Sequence, residues 1–146
     1  MGTIRHSSSV EVPRDRVFAY INDHQNVPNF FFGVTRFVPV TEATDGVGSQ
    51  FAVTMKVGPK TLTSTVETVE WVENELIRLE SVEGFSANTT WNFVDAGAGT
   101  QVDVEFVYTL PGGLAGRALG SLVEPFAGQA VRQTDKNLVE QVSRLA

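Results

Sequence analysis

Few side chains in this 146-residue chain could do chemistry, and their spacing excludes more than it offers. There is no cysteine, so disulfides, thiolate metal sites and a thiol nucleophile are ruled out. His6 and His24 are the only histidines, and neither belongs to a metal-ligand pattern such as H-E-x-x-H. His24 stands just before a run of phenylalanines. Its plain reading is an exposed loop residue, and its functional reading is an acid–base group beside a pocket. Glu67, Glu70, Arg78 and Glu80 fall in strand-like segments, where they are expected to pair across strands on a wet face. Arg36 can face either way. Pro111-Gly112-Gly113-Leu114-Ala115-Gly116 matches neither G-x-G-x-x-G nor a P-loop, so its glycines are read as a tight turn and a close backbone approach. No Ser–His–Asp arrangement follows from spacing. No catalytic residue, metal site or cofactor is assigned.

The other chemistry on offer is apolar. Residues 29–34 read NFFFGV and hold three of the chain's ten phenylalanines. Neighbours in a helix point about 100° apart, so the three rings cannot share one face. Either all of them cap a core, or at least one closes an apolar space. Tyr108 lies in an apolar row, where a buried hydroxyl needs a partner. Ser64, Gln133, Thr134 and Asn137 could face the same space, and a few polar groups in an apolar wall fix a ligand's orientation. The plain alternative is that Tyr108 bonds a backbone carbonyl and the others reach solvent.

These residues must be held by elements that the sequence patterns define. Residues 3–12 read as a first strand. Pro13 suits the first turn of a helix whose Val17, Phe18 and Ile21 have helical spacing, ending near residues 23–26. NVPNFFFG holds a short second helix. Strands follow at VTRFVPV, with Pro39 marking an edge or bulge, then QFAVTMKV, KTLTSTVETVEWV, LIRLESV, NTTWNFV and TQVDVEFVYTL. A looser stretch is expected from Glu83 to Ala87. In the last strand Val102, Val104, Phe106, Tyr108 and Leu110 face one way, and Gln101, Asp103 and Glu105 the other. Such alternation gives an antiparallel sheet with one buried face. From Leu114 to Leu145 the period is helical, with an apolar stripe of Leu119, Leu122, Phe126, Ala130, Leu138, Val142 and Leu145. Pro125 is expected to kink this helix or to mark the start of its long part. The helix has only the sheet's apolar face on which to bury its stripe.

The totals set limits. One domain over residues 1–146 is expected from the length. The net charge of −6, without a basic run, argues against nucleic-acid binding. No stretch approaches the roughly 18 apolar residues of a membrane span. The start, MGTIRHSSSVEV, lacks a basic segment followed by an apolar run, so no signal peptide is expected. With no cysteine, a cytoplasmic location is the expectation.

The order of elements resembles the α+β helix-grip fold of the START and Bet v 1-like (SRPBCC) superfamily. That fold is a curved antiparallel sheet of about seven strands wrapped around a long C-terminal helix, with two short helices after the first strand. Within the superfamily the chain is most similar to the polyketide cyclase/dehydrase and lipid-transport group. VEVPRDRVFAYINDHQNVPNFFFGV, GVGSQFAVTMKVGPKTLTSTVETVEWVENELIRLES and PGGLAGRALGSLVEPFAGQAVRQTDKNLVEQV carry the match. The resemblance implies that a ring of the Phe30–Phe31–Phe32 segment lines a cavity entrance. It transfers no catalytic residue. The expected ligand-lining set is Phe30, Phe31, Phe51, Val53, Met55, Ile77, Leu79, Trp91, Phe93, Val104, Phe106, Tyr108 and Phe126.

Three functions stay open at this point. The first is binding of a small apolar or aromatic molecule, lipid or polyketide-like, between helix and sheet. The second is a cyclase or dehydratase in the same cavity, with Tyr108 or a pocket Arg polarising a carbonyl. The third is an interaction module that uses a sheet edge or the Phe patch, forming for example a homodimer.

Overall fold

The computed structural model describes residues 2–110 and 112–145. Pro111, expected in the turn that closes the sheet, lies outside the described residues. Seven strands form one antiparallel sheet: β1 (Gly2–Val10), β2 (Val34–Pro39), β3 (Gln50–Val57), β4 (Lys60–Val72), β5 (Leu76–Gly84), β6 (Ser86–Ala96) and β7 (Gly99–Thr109). Their order across the sheet is β1-β7-β6-β5-β4-β3-β2, so β2 to β7 run as a meander and β1 lies beside β7. Two short helices, α1 (Arg14–Asn22) and α2 (Val27–Phe30), are joined by a 3-10 turn (His24–Asn26), and all three lie between β1 and β2 in the chain. The long helix α3 (Gly113–Ser143) completes an α+β helix-grip architecture over a curled half-barrel sheet.

Local chemistry explains the helix ends. Pro13 precedes α1 in an extended conformation, and its carbonyl accepts the N–H groups of Arg16 and Val17. This satisfies donors that have no partner inside the helix. Val17, Phe18 and Ile21 are buried from α1, as their spacing requires. The Asp23 carboxylate accepts the Gln25 N–H at 3.0 Å and starts the 3-10 turn.

The sheet bends where its register slips. The β4–β5 ladder shifts between Thr65 and Val66 and again between Thr68 and Glu70. Each slip inserts a residue into one strand and sharpens the local twist. The β2–β3 ladder shifts between Val34 and Arg36, and β2 is an edge strand, as Pro39 predicts. The stretch from Glu83 to Ala87 is tighter than the sequence suggests. β5 runs to Gly84 and β6 starts at Ser86, and the Phe85 N–H between them donates to the Thr63 carbonyl at 2.9 Å. On the outer face Arg78 bridges Glu70 and Glu80 at 3.1 and 3.2 Å, and Arg36 is exposed.

α3 is helical for 31 residues and continues through Pro125, so that proline does not mark its start. Lacking an N–H, Pro125 leaves the Ser121 carbonyl without its usual intrahelical donor. Burial along α3 is uneven. Leu119 and Val123 are buried near one end, and Leu138 and Val142 near the other. Between them Phe126, Ala130, Val131 and Thr134 are only half-buried. The helix thus rests on the sheet at its two ends and spans a gap between them. Among the described residues, no helix is long and apolar enough to cross a membrane.

Candidate functional site

The NFFFGV segment positions the site by sending its three rings in different directions. Phe30 ends α2 and is 1% exposed. Its ring lies 5.8 Å from those of Tyr20 and Trp91, well inside the core. Burial of such a ring contributes about 2–3 kcal/mol. Phe31 leaves the helix with an extended backbone and points under α3, its ring 6.1 Å from both Trp91 and Phe106. Phe32 turns toward α3 itself. Its ring sits 5.5 Å from Phe126, and its N–H donates to the Thr134 hydroxyl at 2.9 Å. Gly33 then takes φ +93, a left-handed conformation that favours glycine.

Phe31 stands between two hollows. The first lies under the short helices, against the inner face of β3 to β6, and leaves about 90 Å³ in which the centre of a water molecule can move. The second lies under the middle of α3, against β1 and β7, and leaves about 80 Å³ by the same measure. One buried water needs only about 10–15 Å³ of such space, so each hollow has room for a larger occupant. Phe31, Met55, Leu62, Phe85, Trp91 and Phe106 line both and form the wall between them.

Most of the expected lining residues fall on these walls. Phe30, Phe51, Val53, Ile77 and Leu79 line the first hollow. Val104, Tyr108 and Phe126 line the second, while Phe31, Met55, Trp91 and Phe106 serve both. Phe93 lies on neither wall. It shares the inward row of β6 with Trp91, but α1 covers that end of the sheet, and the Phe93 ring packs edge-on to Phe18 at 5.1 Å.

The polar candidates divide in the same way. Ser64 lines the first hollow, yet its hydroxyl is spent on the carbonyls of Glu83 and Phe85. Gln133 donates to Asn137 at 2.8 Å, and neither lines a hollow. Thr134 lines the second hollow and accepts from Phe32. The Tyr108 ring lies across the backbone of its partner in the sheet, Gly2, where any β-carbon would collide with it. His24 is half-buried rather than exposed, with its ring 6.0 Å from Phe51 on the wall of the first hollow.

One group escapes a reading of spacing alone. β1 places His6 and Ser8 on its inward side, and α3 brings Asp135 against both. The Ser8 hydroxyl donates to Asp135 Oδ1, and His6 Nε2 lies 3.0 Å from the same oxygen. Burial tends to raise the Asp135 pKa. The Ser8 hydrogen bond and the adjacent His6 imidazole, with its charge, outweigh that and hold it below the usual aspartate value. His6 lines the second hollow. The alternation of Ile4, His6, Ser8 and Val10 was a signal in the sequence for the inward side of β1. Nothing there paired it with a residue more than a hundred positions away. Among the described residues, no group of His, Cys, Asp or Glu is arranged to hold a metal.

Comparison with known proteins agrees with this architecture. The family model described as polyketide cyclase/dehydrase and lipid transport matches residues 1–143. No protein with a curated description matches the sequence. Among solved structures, TTHA0849 from Thermus thermophilus is 24% identical, with 99% of each chain covered and a TM-score of 0.83. A START superfamily protein from Mycobacterium smegmatis is 17% identical, with 99% of each chain covered and a TM-score of 0.77. The Zhui aromatase/cyclase from a Streptomyces species is 13% identical, with 98% of this chain and 94% of that one covered and a TM-score of 0.77. Identities this low establish a shared fold and nothing finer.

Proposed function

The chain belongs to the polyketide cyclase/dehydrase and lipid transport family, and from that premise we propose that it binds one small apolar or aromatic molecule between α3 and the sheet. The observation that carries this reading is the pair of adjoining hollows, walled by aromatic and aliphatic side chains where a solid core would otherwise stand. Interiors pack to crystal-like density, so unfilled space of this size is unusual unless something occupies it. An occupant with two fused rings, burying roughly 200 Å², gains about 5 kcal/mol from apolar transfer. Loss of translational freedom offsets much of that gain. Affinity therefore depends on how much of the ligand is enclosed and on any polar contact in the wall.

Native mass spectrometry of the purified protein, followed by solvent extraction, tests the reading. A stoichiometric apolar adduct is the expected result. A clean apo mass, together with failure to bind any fluorescent apolar probe, would sink it. A second reading, catalysis on a polyketide-like chain in the same space, has one specific support. His6, with Asp135 beside it, is a group on the wall able to take up and release a proton.

A further inference from the structure

The second hollow is apolar except for a few groups, one of them at the His6 corner. Tyr108 lies with its ring over Gly2. The other lining residues with polar side-chain atoms are His6, Thr134 and Trp91, whose indole N–H can only donate, and Thr134 already accepts the Phe32 N–H. His6 is less fully engaged. Its Nε2 is buried, and although Asp135 Oδ1 lies 3.0 Å away, the pair does not have the alignment of a good hydrogen bond. The imidazole therefore keeps hydrogen-bonding capacity that the fold leaves unused, and the ring as a whole lines the hollow. Asp135 is not on the wall and reaches the hollow only through His6.

The charges around this corner decide what it can receive. Among the described residues lining either hollow there is no Arg and no Lys. The neighbouring charges on β1 and β7 are engaged elsewhere: Arg5 pairs with Glu105 at 2.7 Å, and Ser7 donates to Asp103 at 2.5 Å. On α3, Arg132 and Lys136 are exposed. Among the described residues, Asp135 is the charged group that lies against His6. An anionic head group would enter an apolar wall without a cation and with a carboxylate nearby, which costs several kcal/mol.

We propose that the second hollow takes a neutral aromatic molecule bearing a hydroxyl, and that the hydroxyl bonds to His6 while Asp135 holds the imidazole in place. An imidazole N–H donates, and the bare nitrogen of an uncharged ring accepts, so a hydroxyl can answer either. A carbonyl can only accept, and a hydrocarbon can do neither. This inference rests on the binding reading above and narrows it, because fatty-acid anions are excluded from this corner and phenol-like compounds are favoured. His6 is the binding residue. Asp135 is a positioning residue.

The test uses the full chain, an apolar fluorescent probe and three competitors of one shape: naphthol, naphthalene and naphthoate. In the wild-type protein naphthol is expected to displace the probe at about tenfold lower concentration than naphthalene, the worth of one hydrogen bond in a dry site. Naphthoate is expected to be the weakest. His6→Leu should bring naphthol and naphthalene together, read as the ratio of their displacing concentrations within that one variant. Asp135→Asn keeps the imidazole, and should shrink the naphthol preference and improve naphthoate. It also serves as the test if His6→Leu fails to fold. Equal displacement by naphthol and naphthalene in the wild type would overturn the proposal, as would a preference that survives His6→Leu or naphthoate binding tightest. If the probe binds but none of the three displaces it, the proposal falls and the binding reading stands. If no apolar probe binds, both fall.

Discussion

Gly33 lies so close beneath the ring of Phe126 that a β-carbon there would come within 2.9 Å of Cζ and 3.2 Å of the Lys56 carbonyl. The backbone at this point also has φ +93. Two independent constraints therefore fall on one residue, at the place where the phenylalanine segment meets α3. Gly33→Ala should lose about 2–3 kcal/mol, from backbone strain and from the displaced ring together. Gly97→Ala supplies the control, because Gly97 has φ +65 with open space around it and carries the strain alone. Urea unfolding of the two variants gives the contact as the difference. Equal losses would mean that Phe126 moves aside freely.

Phe31 separates the two hollows. Phe31→Ala should join them, at a cost in stability of about 3 kcal/mol. Aromatics of three fused rings should then gain affinity relative to those of two. Probe displacement by anthracene and naphthalene measures this. An unchanged ratio would show that the ring does not limit occupant length.

Phe106 belongs to the wall common to both spaces. A carboxylate there places a charge among apolar groups, so Phe106→Asp should abolish uptake of apolar probes. Fluorescence titration of the variant, with circular dichroism to show that it folds, is the measurement. Undiminished uptake would place the ligand elsewhere.

Acid should weaken the tie between β1 and α3. The folded-state pKa of Asp135 lies below its ordinary value of 3.8, because burial, which raises it, is outweighed by the Ser8 hydrogen bond and the neighbouring His6. A lowered carboxylate pKa contributes stability above the unfolded value and loses it as pH falls through the folded one. The stability difference between wild type and Asp135→Asn should therefore be largest near neutral pH and shrink below about pH 4. Denaturant unfolding across a pH series checks this. A difference that stays constant would mean that the carboxylate gains nothing from the folded environment.

The fold was legible because its patterns are local. The alternation from Val102 to Tyr108 marks an inner and an outer face without reference to any other segment, and Asp103 and Glu105 do lie on the outer side. The site was legible only in part. Phe93 obeys the same alternation as Trp91, yet whether an inward residue meets a helix or a hollow depends on which helix covers that end of the sheet. The bends at Thr65 and Thr68 left no mark either, since a register slip is a relation between two strands. The approach of Asp135 to Ser8 and His6 follows from how α3 crosses β1. No periodicity within either element reports that crossing.

The gap beneath the middle of α3 has a volumetric consequence. Space enclosed in the folded state and lost on unfolding makes the unfolded chain the smaller form, so hydrostatic pressure favours it. A protein with two such spaces should unfold at modest pressure for its size, and most easily when they are empty. An occupant that fills them removes that difference. Pressure resistance would then rise with ligand size and level off once the hollows are full, reading out their capacity without knowledge of the natural ligand.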